Sequence, residues 1–211
     1  MSSNFSAAEP RFVPATLRGF RQWEFRIKYS PFFKDVSADA VLMSLNGRTQ
    51  WEGNRLTADC LYRAAKHAQE PAPYANCSCG IYALNFQSDW LSGRGYYLSG
   101  VIKASGKAIF GQLGFRAQHA EVEAVHIPAP VSYDTHMFRE IFKKHFPEIL
   151  VFSNLDSMYE QYPPDDFSSL FAPEVLKEMN KAREAHTRKM GGLRRETRNF
   201  ATGVGRIIDI P

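Results

Sequence analysis

Three cysteines, Cys60, Cys77 and Cys79, fall with His67 inside a 20-residue window. Six residues separate Cys60 from His67, nine separate His67 from Cys77, and Ser78 alone divides the last two thiols. Thiolate and imidazole are the donors that Zn²⁺ prefers in a tetrahedron. Cys77-Ser78-Cys79-Gly80 offers two of them from one tight turn, and Gly80 permits the positive φ or the close amide approach such a turn needs. Cys60 is expected at the end of a strand and His67 in the loop after it. Pro71 and Pro73 stiffen the return path and lower the entropy cost of closing the site. Four protein donors leave no position for water, so the expected zinc is structural. Three thiolates and a neutral imidazole leave the site negative, and Arg63 and Lys66 lie near enough in sequence to offset it. The competing readings are inert buried thiols or a redox role. An odd cysteine count and no export signal oppose a disulfide.

His119-Ala120-Glu121 repeats the His-x-Glu of zinc deaminases, but the Pro-Cys-x-x-Cys they require downstream is missing. In a strand, His119, Glu121 and Glu123 share one face. The bland reading is a solvated face; an enzyme would place its site there, near His119, Glu121 and Arg116. The sequence contains no Gly-x-Gly-x-x-Gly, Walker A, His-Glu-x-x-His or Gly-x-Ser-x-Gly pattern.

These residues must be positioned by short strands. Gly19 to Tyr29 alternates large apolar and charged residues, with a strand expected from Trp23 onward. Val41 to Leu45, Leu56 to Tyr62, Tyr96 to Ile109 and Phe115 to Ile127 read as further strands. Gly80 to Phe86 reads as a strand or a short helix. Gly111 and Gly114 suit the reversal between the last two strands. This spacing predicts a small antiparallel barrel or sandwich over residues 15–130, after a flexible lead-in over 1–14. An extension follows over 131–172: a helix from Asp134 to about His145, stopped by Pro147, then a strand over Ile149 to Phe152 and a loop over Ser153 to Ser168. Residues 173–211 hold a helix opened by Pro173, with an apolar stripe of Val175, Leu176, Met179 and Ala182, broken at Gly191-Gly192. The fold class is therefore α+β, a Cys3His-clamped β-domain followed by a helical C-terminal part. Trp23, Trp51, Trp90, Tyr96 and Tyr97 fall on or beside strands and are read as core residues ahead of stacking platforms for bases.

Charge is divided unevenly. The chain has 26 Lys+Arg and 22 Asp+Glu, net +4. Residues 174–211 hold nine bases against five acids, so they carry the whole excess. Lys181, Arg183, Arg188, Lys189, Arg194, Arg195 and Arg198 are the candidate contacts to a polyanion. No run approaches the ~18 apolar residues of a membrane span, and the polar N-terminus lacks a signal-peptide core, so a cytoplasmic chain without membrane contact is expected.

The segment Ala58-Asp59-Cys60, His67, Pro71-Ala72-Pro73, Cys77-Ser78-Cys79-Gly80-Ile81-Tyr82-Ala83, then Ser99-Gly100-Val101 and Gly114-Phe115-Arg116-Ala117, resembles a group of small uncharacterised proteins of actinobacteria and their phages. The resemblance covers roughly residues 51–125. The group has Trp where this chain has Ala104, a polar pair near Gly111 and Gln112, and Glu where this chain has Gln118. A pocket built on those polar groups would be altered here. The resemblance implies a phage-derived protein acting in a host cytoplasm. Taken together, the expectation is a non-catalytic, zinc-stabilised binding or adaptor protein contacting nucleic acid or a nucleoprotein complex through its basic end. The alternatives are a protein-interaction module that modulates a host enzyme, or an enzyme with a site near His119 and Glu121.

Overall fold

The computed structural model describes residues 11–12, 16–28, 39–45, 49–60, 71–88, 97–127 and 134–201. Among the described residues, eight strands form one sheet: β1 (Arg11–Phe12), β2 (Leu17–Lys28), β3 (Asp39–Ser44), β4 (Arg55–Thr57), β5 (Ile81–Leu84), β6 (Tyr97–Phe110), β7 (Gly114–His126) and β8 (Leu150–Phe152). The helices are α1 (Asp134–His145), α2 (Leu155–Gln161) and α3 (Pro173–Ala201), with a 3₁₀ turn at Ser168–Leu170.

The two longest strands, β6 and β7, form a hairpin whose reversal is closed by Gly111 N–H donating to Gly114 O at 2.7 Å. β6 also pairs with β2, β7 with β5, and β5 with β2 through Phe20↔Leu84. The pairings of these four strands thus return on themselves. Gly114 is required at the closure: a Cβ there would collide with the Ala83 carbonyl.

Alternation along β2 explains the layers. Leu17, Trp23 and Phe25 on one face enter the main core with Leu42, Trp51, Ile102 and Phe115. Phe20 on the other face enters a second cluster with Val101, Ala124 and Met158. A sheet buried on both faces needs cover on both. α1 supplies it inside, where Phe138, Phe142 and Phe146 ring Phe25 at centroid distances of 5.2, 5.3 and 6.3 Å. α2 supplies it outside, with Met158 buried and Tyr159 edge-on to Phe20 at 5.4 Å. The segment after α2 is fastened to β2: Arg18 N–H donates to Asp165 Oδ2 at 2.6 Å and Arg18 Nη1 to the Pro163 carbonyl at 2.9 Å.

Several expectations are corrected. The sheet is mostly antiparallel, as expected, but β8 joins β7 in parallel, so the 149–152 strand completes the same sheet. β2 starts at Leu17, six residues before Trp23, because its N-terminal half is buried against β6. β4 ends at Thr57, with Ala58 to Cys60 outside any strand. Part of the 153–168 loop is helical: Asn154 caps α2, its side-chain oxygen accepting from Asp156 N–H at 2.7 Å. In the N-terminal lead-in, Arg11–Phe12 pairs with β6. The α3 backbone continues through Gly191-Gly192 to Ala201, and its inward line is Leu176, Met179, Arg183 and His186, while Val175 is exposed. Trp23 and Trp51 are core residues, as read from the sequence, whereas Tyr97 at the start of β6 is exposed; Trp90 and Tyr96 lie outside the described residues. Among the described residues, no helix is long and apolar enough to cross a membrane.

Candidate metal centre

The segment 71–80 has no regular structure, and its turn must be built from local bonds. Cys77 N–H donates to the Tyr74 carbonyl at 3.1 Å, and Tyr82 Oη donates to the Ser78 carbonyl at 2.7 Å. The Ala72-Pro73 peptide is cis. Gly80 has φ +121°, and a Cβ there would press at 3.0 Å on both Pro73 and Arg116. Only glycine fits the exit of this turn, which meets the expectation placed on Gly80.

The turn brings the three cysteines together. Cys60 Sγ and Cys77 Sγ stand 3.6 Å apart, and the sulfurs of Cys60, Cys77 and Cys79 all lie within 4.8 Å of one another. Cys60 and Cys77 are buried and Cys79 is half-buried; no disulfide joins them. Tyr74 N–H donates to Cys79 Sγ at 3.3 Å, a bond that orients and favours a thiolate ligand. Burial, followed by the adjoining Cys77 and Cys60 sulfurs, pushes the Cys79 thiol up to about 11, against the opposing Tyr74 N–H. Without a cation the Cys79 thiol keeps its proton. A bound metal ion would displace thiol protons and remove the repulsion. The three cysteines can therefore hold a metal ion. His67, Arg63 and Lys66 lie outside the described residues.

The compensating charge that the structure does show comes from a distant strand. Arg116 on β7 donates Nη1 to the Cys77 carbonyl and to the Cys79 carbonyl, the latter at 2.9 Å, and lies 5.8 Å from the Tyr82 ring centroid. It is a positioning residue for the thiol turn. Local spacing could not reveal it, since 37 and 39 residues separate it from its partners.

The remaining candidates are dispersed. His119 Nδ1 is 3.1 Å from Thr57 Oγ1, and Glu121 accepts from Asn54 Nδ2 at 3.1 Å and pairs with Arg55 at 3.4 Å. These are cross-strand β4–β7 pairs (Arg55↔Glu121, Thr57↔His119), while Arg116 is committed to the thiol turn. On α3, Lys181, Arg188 and Lys189 are exposed. Arg183 is turned inward, 5.6 Å from the Phe86 ring centroid, and its burial lowers its pKa. Arg194, Arg195 and Arg198 lie on the α3 backbone, beyond the described side chains. The helix is anchored by Met179 and by His186 Nε2, 3.3 Å from Ser88 Oγ.

No protein-family model, curated protein or solved structure matches the chain.

Proposed function

We propose that the chain is a non-catalytic binding or adaptor protein, its curled sheet tied by a structural zinc ion at Cys60, Cys77, Cys79 and His67. Its basic C-terminal helix contacts nucleic acid or a nucleoprotein complex. The observation that carries this reading is the sulfur spacing. Zn–S bonds of about 2.3 Å in a tetrahedron set sulfurs about 3.8 Å apart, and Cys60 and Cys77 are at 3.6 Å. Soft donors on a tight, amide-bonded turn suit zinc, and His67 supplies the fourth. The ring of strand pairings is consistent with a small barrel. The resemblance of residues 51–125 to actinobacterial and phage proteins supports a phage-derived chain acting in the host cytoplasm.

The nucleic-acid part rests on α3. One line of the helix packs on the protein, leaving Lys177, Lys181, Arg188 and Lys189 exposed in the region that carries the chain's whole positive excess. Fluorescence anisotropy with labelled duplex DNA and single-stranded RNA tests it. Binding should weaken steeply with salt, at about 0.7–0.9 decades of affinity per decade of salt for each phosphate neutralised, and should vanish when residues 181–211 are deleted. Binding that ignores salt, or persists in the truncated chain, rejects the reading. A protein partner retained after nuclease treatment favours the protein-interaction alternative.

A further inference from the structure

The edge of β2 changes partner in mid-strand. It pairs with β5 at Phe20↔Leu84, and from Trp23 to Lys28 it pairs with β3. Between these partners, at residues 21 and 22, the sheet parts. A cavity of about 1030 Å³ opens there, walled by the end of β3, by β4 and β5, and by the β6–β7 reversal. That is the size of a site for a whole organic molecule, at the upper end of the usual ~300–1,000 Å³.

Arg21 lies on this wall. By the two-residue period it shares the inward face of β2 with Trp23 and Phe25. Its guanidinium sits 5.3 Å from the Trp23 ring centroid and 5.0 Å from that of Trp51. Arg21 Nη2 donates to Ser44 Oγ at 3.3 Å, and Trp51 Nε1 donates to the same oxygen. Arg21 Nε is buried with no hydrogen-bond partner, and no carboxylate among the described residues pairs with the group. Burial alone brings its pKa down to about 10. Arg21 is half-buried on the cavity wall, and the two aromatic faces answer only part of its charge. An anion entering the cavity would pair with it directly.

The rest of the cavity describes the body that would carry that anion. Leu56, Ile81, Ile109 and Phe110 contribute apolar wall, and Arg116 adds a second cation. Asp59 is the one acid on the wall, and its Oδ1 accepts from Cys60 N–H at 2.8 Å. We propose that this cavity binds a small organic anion, a carboxylate or phosphate ester on an aromatic or apolar body, with its charged head received by Arg21, whose guanidinium rests against the buried rings of Trp23 and Trp51. This reading needs neither a bound metal nor α3, although Arg116 and Asp59 stand between the cavity and the thiol turn. In the sequence, a single arginine in phase with Leu17, Trp23, Phe25 and Ile27 is the signal that marks the position.

Calorimetry and tryptophan quenching on the full chain test it, with 1-naphthoate, 1-naphthyl phosphate and the neutral 1-naphthamide as probes. At least one anion should saturate at one per chain and bind ten-fold or more tighter than the amide. Arg21→Gln should abolish that preference while keeping the amide's own affinity. The better of the two anions identifies the head group. In the unsubstituted chain, the bound anion, and not the amide, should slow phenylglyoxal modification of Arg21, mapped by peptide mass. No saturable binding of either anion, equal affinity for anion and amide, a preference that survives in Arg21→Gln, or unprotected Arg21 each overturns the proposal.

Discussion

Removal of the zinc ion proposed for the thiol cluster is the perturbation with the most readable size. Cys60 and Cys77 are 17 residues apart, and a metal bridging them closes that loop as a cross-link does. The chain-entropy relation gives about 3 kcal/mol of stabilisation for a loop of that length. For a chain of this size, 1 kcal/mol moves the melting point by about 2–4 °C, so stripping the metal should lower it by about 6–12 °C. Bond energy lost with the ion makes this a lower bound. Elemental analysis should find about one zinc per chain, and calorimetric melts with and without a zinc chelator should show the shift. Cys77→Ala should show the lowered melting point from the outset, with no further response to chelator. Protein purified with its cysteines reduced and no bound metal refutes the reasoning. So does a full-size chelator response in Cys77→Ala, since the ion would then be held elsewhere.

Three further outcomes follow from the packing. Asp165→Ala should cost about 1–3 kcal/mol in urea unfolding, because it orphans the Arg18 backbone N–H as well as ending the ion pair. Arg18→Ala, which leaves that N–H bonded, should cost less; the reverse order would contradict the assignment. Phe142→Ala should cost about 3–5 kcal/mol, since its ring is fully buried against Phe25 and Phe146; a cost below about 1 kcal/mol would mean α1 does not cap the core. Burial holds His126 below the ordinary histidine pKa, against the Ser153 backbone carbonyl, which accepts from the ring and favours its protonated form. Above about pH 6.5 it is neutral folded and unfolded, and contributes no pH dependence. Below that the unfolded chain takes up a proton the folded one resists, so stability falls as pH falls. The urea midpoint should therefore drop more between pH 7.5 and 5.5 in the natural chain than in His126→Gln, and parallel drops would sink the assignment.

The sequence by itself determined the parts whose information is local. Alternation gave β2 from Trp23 onward, because a strand's facing repeats every two residues whatever it packs on, and two strand-like runs parted by Gly111 and Gly114 gave β6 and β7. The Cys77-Ser78-Cys79-Gly80 turn was legible because two thiols and a glycine with positive φ are a short-range requirement. The bias of charge toward the C-terminus needed only counting. Tertiary structure decided what depends on partners far along the chain. α2 was missed because Leu155–Gln161 is too short to declare a helical period and exists to cover Phe20 and Val101. β8 pairs in parallel with a strand that ends 24 residues earlier, a choice no local pattern encodes. Arg183 looked like a solvent cation until Phe86 was folded beneath it. Arg116 and Arg21 gained their roles the same way, one from carbonyls 37 and 39 residues distant and the other from a gap between two partner strands. A side chain's charge is written in the sequence, but whether water, an aromatic face or a carbonyl answers it depends on which strands meet.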